Sequence, residues 1–553
     1  MSLYNFKDTI QKATVHDRIF FFVLCLCLFF LLISNGGYNF SIYCLISVVV
    51  FINLLVYLPK HNKFKLRSSA SMMVVVISIV YLLSALICSP TITSFIAVVS
   101  VLISVLFIIS LFVFSRQQKE SLLFILIFMG LISSIIAITL YIFFQSNEIY
   151  VYSGRLMFPF QYANTSGLWF CIVAILCWAS KNWKLRLTAI LPVACCILTK
   201  SAGAVGILFI ISLIYFIGWL KLEKHERKFD IIAIIFYSAI LVFVAVFGLI
   251  NSGRVFEASQ TFIERIIQMY DGVALWLTSP ILGIGPDQWQ FIYPYVQSAQ
   301  YTASKIHNSY LQIMLDGGII ALLLFIAFLV YSLFRIVKAK NWTFLICSCS
   351  ILVHAFFDFD LSFPFMFILL LMFLDGEVKL GNKFLNILFT IIAFVGCCIG
   401  IYFNTQLNNS LSLPQKPDKV NVLDLEKYPD FVLNDVKAST YMTIALVNSN
   451  RFEDAVLLAK STNYASSTQQ YFAFHSLIKL GKLNEANDYL NAILSSQSFN
   501  VDLFDKIHDY LCSEYQNEDL IITYNKCASF SNSLILTDNA SYLSGQKPFD
   551  LIK

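Results

Sequence analysis

His307, in the run KIHNSYLQ (Lys305 to Gln312), has the side chain best suited to moving a proton near neutral pH, because an imidazole titrates at about 6.5. It lies in the long polar stretch 251–317, which also holds Arg254, Arg265 and Lys305, with Asn308 directly after the histidine. Two shorter polar stretches add Arg155, in SGRLMFPFQYANTSG, and Lys200, in LTKSAGAVG. A group of cations suits an anionic ligand, and the planar arginine fork suits phosphate oxygens in particular. From Arg254 to Leu277 the apolar residues Val255, Phe262, Ile266, Met269, Val273 and Leu277 recur with helical period. That predicts an interfacial helix with Arg254 and Arg265 on its polar face. Eleven residues apart, they would stand about 16 Å from one another, too far to share one phosphate. A second cation on a pyrophosphate must therefore come from another loop, as Arg155 or Lys200. A single histidine beside cations, with no obvious partner carboxylate, fits proton abstraction from a hydroxyl while a phosphorylated group departs. It fits a serine triad poorly, since the strained GxSxG turn is missing from the sequence.

These residues need elements to hold them, and the composition says which. Of 553 residues, 58% are hydrophobic and 13% charged, half the charge of an ordinary soluble domain. Apolar segments about long enough to cross a hydrocarbon core recur along the chain. They fall near residues 18–35, 38–58, 70–88, 91–114, 122–145, 165–180, 187–199, 203–220, 229–250, 318–337, 343–357, 362–374 and 384–404. The fold class expected is all-α, a polytopic bundle of about thirteen spans. Pro192 and its short length mark the seventh as kinked or partly re-entrant. The first lacks a small-residue cleavage site and reads as a retained helix. Alternate loops carry twenty-one Lys and Arg residues, and the opposite set only Arg155, Lys200, Arg254, Arg265 and Lys305. Positive charge stays in the cytoplasm, so the N-terminus is expected inside and the C-terminus outside. The same bias accounts for the net charge of +5 without any nucleic acid.

The eleventh span ends in HAFFDFDLSFP (His354 to Pro364), where His354 should lie inside the bundle. Asp358 and Asp360 read as solvated residues at the outer boundary, although ionisable groups at membrane depth are also functional candidates. Twelve of the fourteen cysteines lie in spans or at their ends, as small apolar residues. Cys512 and Cys527 could pair in an oxidising compartment. No cysteine and histidine spacing suggests zinc, so neither a metal nor another cofactor is expected. The chain divides into a membrane part, 1–405, with its extracytoplasmic loop 251–317, and a polar tail, 406–553. LSLPQKPDKV (Leu411 to Val420) reads as a linker. In the tail, YMTIALVNSNRFEDA resembles FAFHSLIKLGKLNEA, with Ala455 and Ala486 thirty-one residues apart, which resembles a tetratricopeptide-like helical hairpin repeat.

GRLMFPFQYAN, LTKSAGA, ERIIQMYDGVALWLTSPILGIGPDQW, HNSYLQIMLDGGIIALLLF and HAFFDFDLSFP, in that order over Arg155 to Pro364, together resemble the O-antigen ligase and polymerase superfamily, which includes bacterial O-linked oligosaccharyltransferases. The resemblance implies a metal-independent inverting transferase that takes a glycan from undecaprenyl pyrophosphate at the outer face of the cytoplasmic membrane. Arg265 matches the family's loop arginine, which would contact pyrophosphate, and His307 matches its His-Asn histidine, which would activate or orient the acceptor. Arg155 matches a less diagnostic position. The family often shows Ser-Arg where this chain has Ser201-Ala202, and Lys200 is the neighbouring cation. The acceptor could be a lipid, a glycan or a protein. A polymerase of the same superfamily is one alternative reading, and a flippase or transporter for lipid-linked glycans is another. The latter would require polar residues on both faces and paired broken helices, which the sequence does not suggest.

Overall fold

The computed structural model describes residues 14–57, 66–67, 69–112, 116–180, 182–220, 252–374, 379–380, 383–416, 420, 424–535 and 546–552. It is all-α and polytopic, as the apolar runs require. The membrane part comprises α1 (Val15–Ile33), α2 (Phe40–Tyr57), α3 (Ser69–Cys88), α4 (Ile92–Phe112), α5 (Arg116–Phe143), α6 (Ala163–Trp178), α7 (Trp183–Leu187), α8 (Ile190–Leu198) and α9 (Ala202–Leu220). It continues with α10 (Ser252–Trp276), α11 (Trp289–Val296), α12 (Ser309–Lys338), α13 (Trp342–His354), α14 (Pro364–Leu374) and α15 (Lys383–Leu411). Among the described residues, seven helices are long and apolar enough to cross a bilayer, and α6, α9, α13 and α14 are shorter apolar helices. The expected seventh span is only the nine residues of α8, preceded by the single turn of α7. The expected span 229–250 lies outside the described residues.

The bundle is built around α6, all of whose residues are buried. An apolar run hydrophobic on every side suits the middle of a bundle. Gly130 on α5 lets it approach closely, since a Cβ there would come within 2.4 Å of the Val173 methyls. Trp169 donates its indole N–H to Ser133 Oγ at 3.1 Å. Elsewhere α2 and α15 join through a Phe51–Phe394 stack at 3.7 Å.

Loops of low positive charge meet one another. The Asn35 amide donates to Gln161, Arg155 to the Thr199 carbonyl, and Ser94 to the Pro286 carbonyl. Two cation-rich segments meet separately, where β1 (Leu66–Arg67) pairs antiparallel with β4 (Lys379–Leu380). The hairpin β2 (Val151–Tyr152) and β3 (Arg155–Leu156) belongs to the first group.

The tail packs directly on this end of the bundle. α15 runs on to Leu411, and Leu413, within the stretch read as a linker, is buried. Phe403 on α15 stacks on Phe95 at 5.0 Å and meets Phe431 edge-on at 5.5 Å. Beyond the short α16 (Asp430–Leu433) come three helical pairs: α17 (Val436–Asn448) with α18 (Phe452–Ser461), α19 (Ser467–Lys479) with α20 (Leu483–Ser496), and α21 (Val501–Ser513) with α22 (Glu518–Ile535). Ala455 and Ala486 are each the fourth residue of their helix, and both are fully buried. The turns before them also correspond, with Asn450 and Gly481 in the left-handed region. Cys512 is exposed, Cys527 is buried, and both are free thiols, so the expected pair does not form.

Candidate functional site

The site begins with a break in α12. Gly317 and Gly318 interrupt its helical backbone, and Gly318 has a φ of +69°. A Cβ on Gly318 would lie 1.9 Å from the Ile281 carbonyl oxygen, and one on Gly283 would lie 2.2 Å from that of Leu315. The glycines of SPILGIG and DGG therefore serve each other. Their main chains lock together through Ile284 N–H to Leu315 O at 2.8 Å and Ile319 N–H to Pro280 O at 2.9 Å. At the start of the same helix, the Asn308 side chain accepts from the amides of Tyr310 at 3.0 Å and Leu311 at 2.9 Å. It is a buried N-cap, so its oxygen is used by the helix and is not open to a substrate.

His307, one residue earlier, meets a carboxylate. Its Nδ1 is 3.2 Å from Asp358 Oδ1. Asp358 and Asp360 were expected in solvent, but both are fully buried at the turn between α13 and α14. A buried charge persists only with partners, and Asp358 has five. Tyr162 OH donates to it at 2.8 Å, Asn164 Nδ2 at 2.7 Å, the Phe359 amide at 2.9 Å, and Arg265 Nη2 at 3.3 Å, in addition to His307. Burial alone would lift the Asp358 pKa. The hydrogen bond and charge of His307, followed by the Arg265 guanidinium, outweigh burial and hold the carboxyl well below the usual range. Asp360 is held separately, by His354 Nδ1 at 2.6 Å and Thr165 Oγ1 at 2.7 Å.

Arg265 is carried by α10, whose polar face turns inward as Arg265, Gln268 and Asp271, whereas Phe262, Ile266, Val273 and Leu277 face outward. That is the orientation of an interfacial helix. The side chain of Arg254, on the first turns of α10, lies outside the described residues. Arg265 Nη1 donates to the Phe357 carbonyl at 2.6 Å, and its Nε is shielded from solvent with no hydrogen-bond partner among the described residues. The residue before it, Glu264, accepts from Gln268 at 3.0 Å. Burial raises the Glu264 pKa, against the opposing charges of His307 and Arg265.

Arg155 joins the cluster through Asn164, to whose Oδ1 it donates at 2.6 Å, while its Nε holds the Thr199 carbonyl at 3.0 Å. Lys200 follows that carbonyl. Its Nζ lies where Gly154 leaves room, 3.2 Å from the position of a Cβ there. Lys305 turns elsewhere and forms a close ion pair with Asp287. Burial would lower the Lys305 pKa, but the charges of Asp287, Tyr38 and Asp316 raise it above the usual lysine value.

The structure thus gathers His307, Arg265 and Arg155 around Asp358, Tyr162 and Asn164. The sequence singled out the first three as a group. It supplied no pairing for Asp358, whose partners lie up to 196 residues away. The one available signal was an acidic residue at membrane depth on the side of the other polar loops.

Residues 187–326, about a quarter of the chain, match the model of the O-antigen ligase family. This segment contains Lys200, Arg265 and His307, whereas Arg155 and Asp358 lie outside it. Comparison with curated proteins and with solved structures found no match.

Proposed function

We propose that this integral membrane protein, which carries an O-antigen ligase family domain, transfers a glycan from undecaprenyl pyrophosphate to an acceptor hydroxyl at the outer face of the cytoplasmic membrane. The observation that carries the reading is the single buried carboxylate of Asp358 joining the His307 imidazole to the Arg265 guanidinium. With Nδ1–H donated to Asp358, His307 Nε2 keeps a lone pair for the acceptor proton. The acceptor oxygen attacks the anomeric carbon, its proton passes to Nε2, and the bond to pyrophosphate breaks with inversion. A pyrophosphate is already a good leaving group. The protein's part is to position the reactants, remove one proton and stabilise the departing charge.

Arg265, whose side chain is partly exposed, offers its guanidinium to a phosphate oxygen. For the second cation, Arg155 is committed to Asn164 and Thr199, whereas the Lys200 ammonium makes no hydrogen bond or ion pair among the described residues. Lys200 is therefore the better partner for the pyrophosphate, with Arg155 bracing the Asp358 cluster. In this reading the membrane part, 1–405, has its N-terminus in the cytoplasm, and the helical tail, 406–553, stands outside with the site.

The test is purified protein with a glycan on undecaprenyl pyrophosphate and a panel of lipid, glycan and protein acceptors, with and without a chelator. Transfer should be lost in His307→Ala and Arg265→Ala while both variants remain folded. His307→Ala should still bind donor, with turnover down about 10²- to 10⁴-fold. Undiminished transfer by both variants would refute the mechanism.

A further inference from the structure

A cavity of about 310 Å³ lies beside the Asp358 cluster, and the reading above leaves it unused. Its deep part is mainly apolar, with Ile77, Val101, Ile313, Phe325 and Phe367, broken by the hydroxyls of Ser100 and Ser104. Its upper part is polar, with Asp287, Gln290, Lys305, Gln312, Asp316 and Lys437. The two regions adjoin the proposed chemistry through Ser309, which lines the cavity and donates its hydroxyl to the Asp358 carbonyl at 2.8 Å.

The polar part sets two lysines beside two acids, so it carries no large excess of positive charge. Lys305 pairs with Asp287, and the Asp316 carboxylate accepts from the Asp287 amide at 3.0 Å and from Gln312 at 2.8 Å. Lys437 is the second cation of the lining. A pyrophosphate needs an excess of positive charge, which this wall does not supply. Closely spaced donors and acceptors without net charge match a group that is itself both donor and acceptor, as a sugar's adjacent hydroxyls are. The rings of Tyr38 and Tyr81 add flat faces for its C–H surface. Both regions fit one molecule if a neutral sugar is joined to an apolar chain.

The tail completes this site. Lys437 stands in the first turn of α17. The buried Asp435 before it accepts from the amides of Lys437 and Ala438 at 3.1 Å with one oxygen and from the Thr93 amide at 2.7 Å with the other. The start of α17 is thereby fixed to the start of α4, beside the cavity.

We infer that this cavity is the acceptor site, that it takes a neutral, hydroxyl-rich head carried on an apolar chain, and that Asp287, Lys305 and Asp316 read the head while Lys437 of the tail closes over it. The inference rests on the transferase reading, because it names the acceptor of that reaction.

The full chain in lipid nanodiscs is tested with octyl glucoside bearing a photoreactive diazirine in its alkyl chain, and with the same chain ending in phosphate. The glucoside should label peptides containing Ile77–Tyr81 and Ile96–Val101, with the phosphate labelling them at least about tenfold less, the effect of losing one or two good hydrogen bonds. Ala97→Phe, which fills the cavity, and Asp316→Asn should each reduce glucoside labelling about tenfold. Farnesyl pyrophosphate binding should be unchanged in both. Equal labelling by the phosphate, displacement of the glucoside by farnesyl pyrophosphate, or full labelling of Ala97→Phe would each overturn the inference. Labelling is read without turnover. A transferase reading that failed through His307 and Arg265 would leave this result intact, and failure here would leave donor binding at Arg265 intact.

Discussion

Replacing Asp358 by asparagine keeps the shape of the side chain and removes its charge, so the cost can be worked from the five donors around it. Oδ1 receives Tyr162, His307 and the Phe359 amide, and Oδ2 receives Asn164 and Arg265. An amide NH₂ must take the place of one oxygen. If it replaces Oδ2, two donors lose their acceptor, one of them a guanidinium, and if it replaces Oδ1, three do. Each buried donor left unsatisfied costs about 1–3 kcal/mol, so the smaller loss is about 2–6 kcal/mol before relaxation. Asp358→Asn should therefore melt at markedly lower temperature, measured by intrinsic fluorescence in detergent. Function should suffer separately, because His307 loses the carboxylate charge that stabilises its imidazolium once the acceptor proton is taken. Turnover should fall about 10²- to 10⁴-fold at saturating donor, with donor affinity falling less. Tyr162→Phe, which removes one neutral donor, should retain the fold and most of the activity. An Asp358→Asn protein with parental turnover, in a background where His307→Ala is inactive, would refute the role given to this carboxylate.

Lys200→Met should weaken donor binding about tenfold or more, the loss of one charge-assisted hydrogen bond, with little effect on melting, and a donor titration reads both. Glu264 is an acid whose native pKa is raised, so the folded state holds its proton more tightly than the unfolded state and gains stability as pH falls through that raised value. Glu264→Gln should therefore melt no lower than the parent at pH 8 and lose part of the parent's gain on acidification. A parent whose melting point rises between the ordinary glutamate range and neutrality because of this group would contradict the assignment. Gly318→Ala should lose at least about 1–3 kcal/mol from its backbone conformation alone, with the contact at the Ile281 carbonyl in addition, and should melt lower than Gly206→Ala, where a Cβ meets nothing.

Most of the architecture was legible because its cause is local. Runs of eighteen or more apolar residues have few solutions in a bilayer, and the exposed row Phe262, Ile266, Val273 and Leu277 is the periodicity that marked α10 as interfacial. Arg265 and His307 stood out by charge and type on the cation-poor side. The carboxylate that joins them did not, because hydrogen bonds over 51, 93 and 196 residues leave no periodic trace. Asn308, a substrate-binding candidate by its place beside His307, also caps α12, a role an asparagine before a helix commonly fills. Lys305, one of the cations that suit an anionic ligand, is paired with Asp287, eighteen residues earlier, and no periodic pattern marks that pairing.

The glycine break in α12 also bears on how the protein meets bilayers of different thickness. A span longer or shorter than the local hydrocarbon adjusts by tilting, at a cost of a fraction of a kcal/mol per ångström of mismatch. In an unbroken thirty-residue helix such a tilt would swing His307 at its tip away from Asp358. Gly317 and Gly318 separate the spanning portion from the turns that carry His307, and the main-chain bonds to Pro280 and from Ile284 tie the break to the loop that follows α10. The membrane portion of α12 can thus follow lipid thickness while His307, Asp358 and Arg265 keep their spacing. Turnover should accordingly vary little between short-chain and long-chain phosphatidylcholine nanodiscs.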